Sequence, residues 1–272
     1  MFYDPIKDRI GAVVSRNVLL QRLFFFALDT VFLRTWHVKK NIRRQFAEWP
    51  KDRPLRILDA GTGFGQYVWF LVRTFPQAEI LAVDVKQDYL DRAQSFLDRT
   101  PYGKRVRWAY ADLTQFETDE RFDFILSVDV MEHIEDDRAV FRNFAKVLNP
   151  DGVVLINTPS DLGGSDADLE GESFISEHVR DGYNKEELTE KLQTAGLNPF
   201  HRQYTYGRFG SLAWRFLLKY PLKMLSWSRG LALVLPFWYA VFLLPCLLLH
   251  GVDVNIKNPA GTGVLFLSRR AG

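Results

Sequence analysis

Residues Ile57, Leu58, Asp59, Ala60, Gly61, Thr62, Gly63, Phe64 and Gly65 run an apolar strand pattern straight into a glycine-rich bend. Glycine there lets the main chain approach a ligand with no Cβ in the way. A dinucleotide fingerprint would place its third glycine at position 66, where this chain has Gln66, so the spacing argues against a nicotinamide cofactor. Two acids follow at positions a nucleoside would use. Asp84, with Val85 after it, ends the second apolar run nineteen residues past Gly65, where a carboxylate can accept hydrogen bonds from both ribose hydroxyls. Asp112, followed by Leu113, closes the third run and suits an adenine amino group. Each acid alone also reads as a solvated loop end or a helix cap; their common register favours the nucleoside.

These positions need a frame that brings strand ends together. Short β-branched runs at 56–60, 80–84, 106–111, 122–128 and 153–158 alternate with helical patterns at 66–74, 89–97 and 137–148, the signature of a parallel sheet with helical crossovers. The turn cluster Asn149, Pro150, Asp151 and Gly152 is expected to stop the third helix. A further helix is expected at 185–195, and two more strands at 199–206 and 264–268. About fifty-five residues separate those last two strands, where a short hairpin is usual. The intervening piece is an insertion.

On these motifs the chain resembles the class I S-adenosylmethionine-dependent methyltransferases, across residues 54–206 and 262–268. The matching residues are Asp59 to Gly65, Val83 and Asp84, Ala111 to Leu113, and the fourth-strand segment Phe122 and Asp123 through Val128, Asp129, Val130, Met131, Glu132 and His133. The resemblance implies an α/β fold: a seven-stranded, mostly parallel Rossmann-like methyltransferase sheet with an antiparallel last strand. To this are added an N-terminal helical arm (1–49) and an apolar helical insertion between strands six and seven (208–258). It further implies that Asp59, Gly61, Thr62, Gly63 and Gly65 face the methionine part of S-adenosylmethionine, with Asp84 and Val85 at the ribose, Asp112 and Leu113 at the adenine, and Asp129 completing the cofactor site. The run Glu132, His133 and Ile134 resembles the branch containing quinone and small-molecule O-methyltransferases.

Methyl transfer from a sulfonium requires an aligned nucleophile and, for a hydroxyl, removal of its proton. His133 follows the fourth strand, and His178 precedes the sixth crossover helix; imidazole suits a general base near neutral pH. Each histidine reads equally as a cap or packing residue. Glu132 is positioned to orient a base or simply to occupy a first helical turn, where negative charge is favoured. Arg180 and Tyr183 are the candidate substrate contacts, and a salt bridge is the alternative fate of Arg180. No residue pattern calls for a metal.

The 272 residues carry a formal net charge of +2, unevenly spread: no Asp or Glu occurs from Lys191 to Val252, while Arg202, Arg208, Arg215, Lys219, Lys223 and Arg229 all fall there. The stretch Gly230 to Gly251 has no charged residue and is long enough to cross a bilayer. Both of its flanks return to one sheet, and Pro236 and Pro245 are expected to break or kink a helix. An interfacial or re-entrant segment is therefore expected, drawn to an anionic membrane surface by its cations and aromatics. The N-terminal helix expected at 13–36 has a narrow polar stripe of Ser15, Arg16, Arg22 and Asp29 and reads the same way. Both pieces also read as an ordinary cap, packed on each other or in a dimer.

One cysteine, Cys246, excludes an intramolecular disulfide and fits a reducing compartment. The expected setting is cytoplasmic, peripheral or monotopic on the membrane's cytoplasmic face, with an amphiphilic small-molecule substrate such as a lipid, quinone or polyprenyl-linked intermediate. Nucleic acid is not an expected partner, because the basic segments are also the most apolar. Two rival readings keep the fold, a non-catalytic cofactor-binding membrane module and an aminopropyl-type transferase.

Overall fold

The computed structural model describes residues 17–50, 53–163 and 179–271. Seven strands form one sheet in the order β3-β2-β1-β4-β5-β7-β6. The strands are β1 (Leu55–Ala60), β2 (Ala78–Asp84), β3 (Val106–Tyr110), β4 (Phe122–Val128), β5 (Leu148–Pro159), β6 (Leu197–Thr205) and β7 (Gly263–Arg270). Strands β3, β2, β1, β4 and β5 pair in parallel, and β7 runs antiparallel between β5 and β6. The strand order reverses direction between β1 and β4, which opens a crevice at the strands' carboxyl ends.

Both sheet faces are dry, so the strands read as continuous apolar runs split by alternation. Ile57, Phe124, Leu126, Val153, Leu155, Leu265 and Leu267 face one layer, while Leu58, Ile125, Val154, Ile156 and Phe266 face the other. The second layer is covered by α5 (Asp137–Val147) and α6 (Lys185–Thr194), whose Phe141, Phe144, Leu188 and Leu192 are fully buried. On the first, α3 (Gln66–Thr74) and α4 (Gln87–Asp98) supply Val68, Leu71, Phe96 and Leu97.

The rest of that face is closed by the N-terminal arm. The arm is two helices, α1 (Val18–Val31) and α2 (Leu33–Gln45), where one through residue 36 was expected. Extended Phe32 (φ −90°, ψ 109°) separates them. No Pro or Gly causes the break; tertiary packing does, by drawing Leu33, Val38 and Ile42 into full burial. Phe46, just beyond α2, meets Phe124 with ring centroids 4.9 Å apart. The arm is thus part of the sheet's cover and no appendage.

Two local expectations are corrected. The cluster 149–152 does not precede β5 but lies inside it, as a bulge between the pairs Phe122 with Leu148 and Phe124 with Val153. Pro245 does not end the apolar helix. The insertion folds as α7 (Arg208–Trp214), a π-helical turn (Arg215–Lys219), α8 (Tyr220–Trp227), a 3-10 segment (Arg229–Val234) and α9 (Leu235–Asn255), with Pro236 in the first turn and Pro245 inside. A first-turn proline loses no helical hydrogen bond. Pro245 falls on the exposed face, where a freed carbonyl is least costly.

The π-turn leaves its own carbonyls poorly bonded, and α9 satisfies two of them. Trp238 Nε1 donates to the Phe216 carbonyl at 2.8 Å, and Tyr239 Oη to that of Leu217 at 2.9 Å. At the base of the hairpin, Asp253 is fully buried and accepts from His37 Nε2 (2.9 Å), the Gly210 amide (2.9 Å) and Asn258 Nδ2 (3.1 Å). The Gln203 amide donates to His37 Nδ1 at 3.2 Å, leaving Nε2 to carry the proton toward Asp253. One carboxylate therefore ties arm, insertion and sheet together. Asp253→Ala strands three buried donors and is expected to cost about 3 kcal/mol or more, read as a lower midpoint in urea denaturation at unchanged slope.

Candidate active site

The glycine bend is held open by its backbone. Gly61 and Thr62 amides both donate to the Val83 carbonyl, at 2.9 and 3.0 Å, pinning the loop after β1 to the end of β2. Gly61, Gly63 and Gly65 have φ of +83°, +52° and +77°, the left-handed region that side chains avoid. A Cβ at Gly61 would lie 2.3 Å from Val130 Cγ2, whereas one at Gly63 meets no atom within 4 Å. Open space over Gly63 and an enforced bend at Gly61 form a cradle for a ligand lying against main chain. Phe64 walls one side, tilted 32° against Tyr89 (4.7 Å) and edge-on to Phe24 of α1 (6.2 Å).

The acids converge on this cradle. Asp59 is buried and accepts from Thr62 Oγ1 at 2.7 Å; burial, with Asp84 nearby, pushes its carboxyl up to about 7. Asp84 accepts from the Gly63 amide at 2.8 Å and the Lys86 amide at 2.9 Å, so it orders the loop while keeping further lone pairs. Val85 beside it is an exposed apolar side chain. Asp112 caps the following 3-10 turn through Thr114 N and Oγ1, both at 2.8 Å, and Leu113 is buried beneath.

After β4 the chain turns sharply at Asp129, a non-glycine residue with φ +53°. Its carboxylate accepts from Asn157 Nδ2 at 3.2 Å and pairs with Arg34 of α2. Such strain, over-determined by an ion pair, is typical of functional sites. The Arg34 amide donates to Tyr206 Oη at 3.2 Å, and Tyr206 also has φ +53°. Tyr67 Oη lies buried beside Thr35, without a hydrogen bond of good geometry. Asn157 Oδ1 is likewise buried and unmatched among the described residues. Tyr67, near Arg34 and Asp129, and Asn157, which donates to Asp129, keep these polar atoms unspent beside the end of β4.

Glu132 is almost wholly buried, at 1 % exposure, on the 3-10 turn Met131–His133. It accepts from Thr158 Oγ1 at 3.1 Å; burial, and then the charge of Asp129, push its carboxyl up to about 8. His133, one residue on, is exposed. His178 lies outside the described residues.

The two expected substrate contacts, Arg180 and Tyr183, are both engaged with Asp137. Arg180 pairs with Asp137 and donates to the carbonyls of Ile134 (2.6 Å) and Glu135 (3.0 Å). Tyr183 is fully buried, its Oη 2.6 Å from Asp137 Oδ2, and Lys191 Nζ reaches the same oxygen at 2.8 Å. Both lock α5 to the loop ahead of α6, and Tyr183 Oη also donates to the Met131 carbonyl at 3.2 Å, next to Glu132. Arg34, Tyr67, Asn157 and Tyr206 were not singled out from the sequence. Arg34 is one of several basic residues in its arm and carried no distinguishing signal.

The comparisons agree with this geometry. Residues 57–152 match the family model described as a methyltransferase domain. A malonyl-[acyl-carrier protein] O-methyltransferase of Anoxybacillus flavithermus is 26 % identical over 152 residues, 56 % of this chain and 56 % of that protein. A ubiquinone biosynthesis O-methyltransferase of Rickettsia bellii is 28 % identical over 38 % of this chain and 42 % of its own length. The chain thus spans about half the length of these relatives. Among solved structures, a Haemonchus contortus phosphoethanolamine N-methyltransferase in complex with S-adenosyl-L-methionine superposes with TM-score 0.59 at 20 % identity, over 86 % of this chain and 53 % of that one. An S-adenosylmethionine-dependent methyltransferase of Clostridium acetobutylicum gives TM-score 0.57 at 15 % identity over 93 % and 99 %. The protein has the class I S-adenosylmethionine-dependent methyltransferase fold, with its methyltransferase domain seated on the glycine cradle.

The cradle makes a direct prediction. Gly61→Ala forces a side chain into a left-handed bend and against Val130, so affinity for S-adenosylmethionine measured calorimetrically is expected to fall by about tenfold or more.

Proposed function

We propose that the protein transfers a methyl group from S-adenosylmethionine to a hydroxyl of a lipophilic, membrane-borne small molecule. The observation carrying this reading is that the apolar insertion springs from the rim of the cradle. Its two roots, Tyr206 and Thr262, are joined by the Thr262 amide donating to the Tyr206 carbonyl at 3.2 Å, and Tyr206 Oη contacts the Arg34 that holds Asp129. An acceptor drawn along the insertion therefore arrives at the strand ends.

The residues fit the cofactor in three ways: an open glycine cradle, unspent polar atoms, and acids that favour a cation. S-adenosylmethionine, when bound, supplies a methyl group on a positively charged sulfur for in-line attack. Asp59, Asp84 and Asp129 hold negative potential at the strand ends, which favours the charged cofactor over its neutral demethylated product. Glu132 serves as the general base, since a buried carboxyl titrating near 8 is matched to removing an acceptor proton. Thr158 Oγ1 fixes its orientation. The relatives named above as O-methyltransferases support an oxygen acceptor.

The insertion supports a membrane seat. Segment Gly230–Asn255 is long and apolar enough to cross a bilayer, with 6 % of its most apolar eighteen residues buried. Phe237, Val241, Leu244 and Leu248 form one outward stripe at helical spacing, while Cys246, His250 and Asp253 face inward. Both roots return to one sheet, so the helix lies along the interface and does not cross. Replacing the four stripe residues with Ser is expected to lower binding to neutral phosphatidylcholine vesicles by about 100-fold or more, with the circular dichroism spectrum retained.

Turnover is measured as S-adenosylhomocysteine release with a membrane lipid extract as acceptor. Glu132→Gln is expected to lower kcat by about 100-fold or more with cofactor affinity unchanged. Because the base acts ionised, wild-type kcat should climb as pH rises toward and through about 8 and level off above. Cofactor binding without product release in any lipid fraction would overturn the catalytic reading.

A further inference from the structure

We propose a second ligand site, for the phosphate group of an anionic lipid, on the arm at a distance from the cradle's carboxylates. It deepens the membrane-seated reading and rests on it. A pocket of about 390 Å³ is lined by Arg22, Phe26 and Asp29 of α1, Trp69 and Arg73 of α3, and Pro101 and Tyr102. Both guanidiniums stack against one indole, Arg22 at 5.3 Å and Arg73 at 4.9 Å from the Trp69 ring, so they are no more than about 10 Å apart. Neither forms an ion pair or hydrogen bond with any described residue.

The pocket's single carboxylate is already spent. Asp29 pairs with Lys39 Nζ at 2.5 Å and accepts from Gln66 Nε2 at 2.7 Å. Around it the charge is positive: Lys39 and Arg43 both lie over the Phe70 ring, at 4.7 and 5.2 Å. Arg73 is in the last turn of α3, where a cation is favoured on its own account, but Arg22 is near the positive end of α1 and has no such reason. Two like charges gathered against one indole in the lining of one pocket, and left without a carboxylate counter-ion, are complementary to an oxyanion.

The lipid source follows from what flanks the pair. Leu19, Leu23 and Phe26, within one turn of Arg22 on either side, are exposed, with Phe26 at 68 %. Apolar side chains beside an unpaired basic pair fit acyl chain beside phosphate, and a soluble phosphate would have no use for them.

The test is vesicle flotation of the full chain with phosphatidylcholine vesicles, with and without phosphatidic acid, comparing wild type, R22A/R73A and R142A/K146A. The last pair removes the same charge from exposed positions on α5. Phosphatidic acid should strengthen wild-type binding. R22A/R73A should lose about 25-fold of that gain, roughly fivefold per guanidinium, and R142A/K146A should keep it. Equal loss in both variants would show general charge attraction and overturn the site. Wild type floating equally well with both vesicles would overturn the site while the membrane seat stands, and flotation with neither would overturn both. Competition by millimolar inorganic phosphate without any phosphatidic acid gain would reassign the pocket to a soluble anion and overturn the lipid assignment.

Discussion

Four carboxylates, Asp59, Asp84, Asp129 and Glu132, crowd the carboxyl ends of β1, β2 and β4, and their mutual repulsion is what the surrounding structure holds in check. Main-chain amides take up Asp84, a hydroxyl and burial hold Asp59, and Arg34 offsets Asp129. Glu132, buried and beside the charge of Asp129, titrates high. Confining this much negative charge is costly for a folded chain. A positively charged group brought to these strand ends would offset part of that cost.

The ion pair between Arg34 and Asp129 gives the arm its role. Through Phe32 the chain breaks, α2 sinks onto β6 and β7, and α1 is laid across the glycine loop with Phe24 against Phe64. Asp253 then fastens the insertion to the same arm through His37. Cradle, arm and insertion are thereby linked through one chain of polar and aromatic contacts.

Much of this was legible in the chain itself. Alternating β-branched runs marked the strands because both sheet faces are dry, and the glycines at 61, 63 and 65 marked the cradle because only glycine tolerates those dihedrals. The insertion stood out because no acid occurs from Lys191 to Val252 and because about fifty-five residues part the last two strands. Contacts across long sequence distance were not legible. Arg34 meets Asp129 ninety-five positions away, and nothing near Phe32 announces a break, since tertiary packing causes it. The ion pair of Arg180 with Asp137 was foreseen as an alternative to substrate contact, but a buried tyrosine joining it was not. Pro245 misled because helix-breaking rules assume a costly lost bond, and that cost is small on an outward face.

The placement of α2 has a consequence for synthesis. It rests against β6 and the antiparallel β7, which leaves the ribosome last among the strands described. A helix made early must wait, with Val38 and Ile42 uncovered, until the closing strand is threaded between β5 and β6. The nascent polypeptide therefore carries an unshielded greasy edge through most of its elongation, a state in which chaperones would serve as temporary shelter.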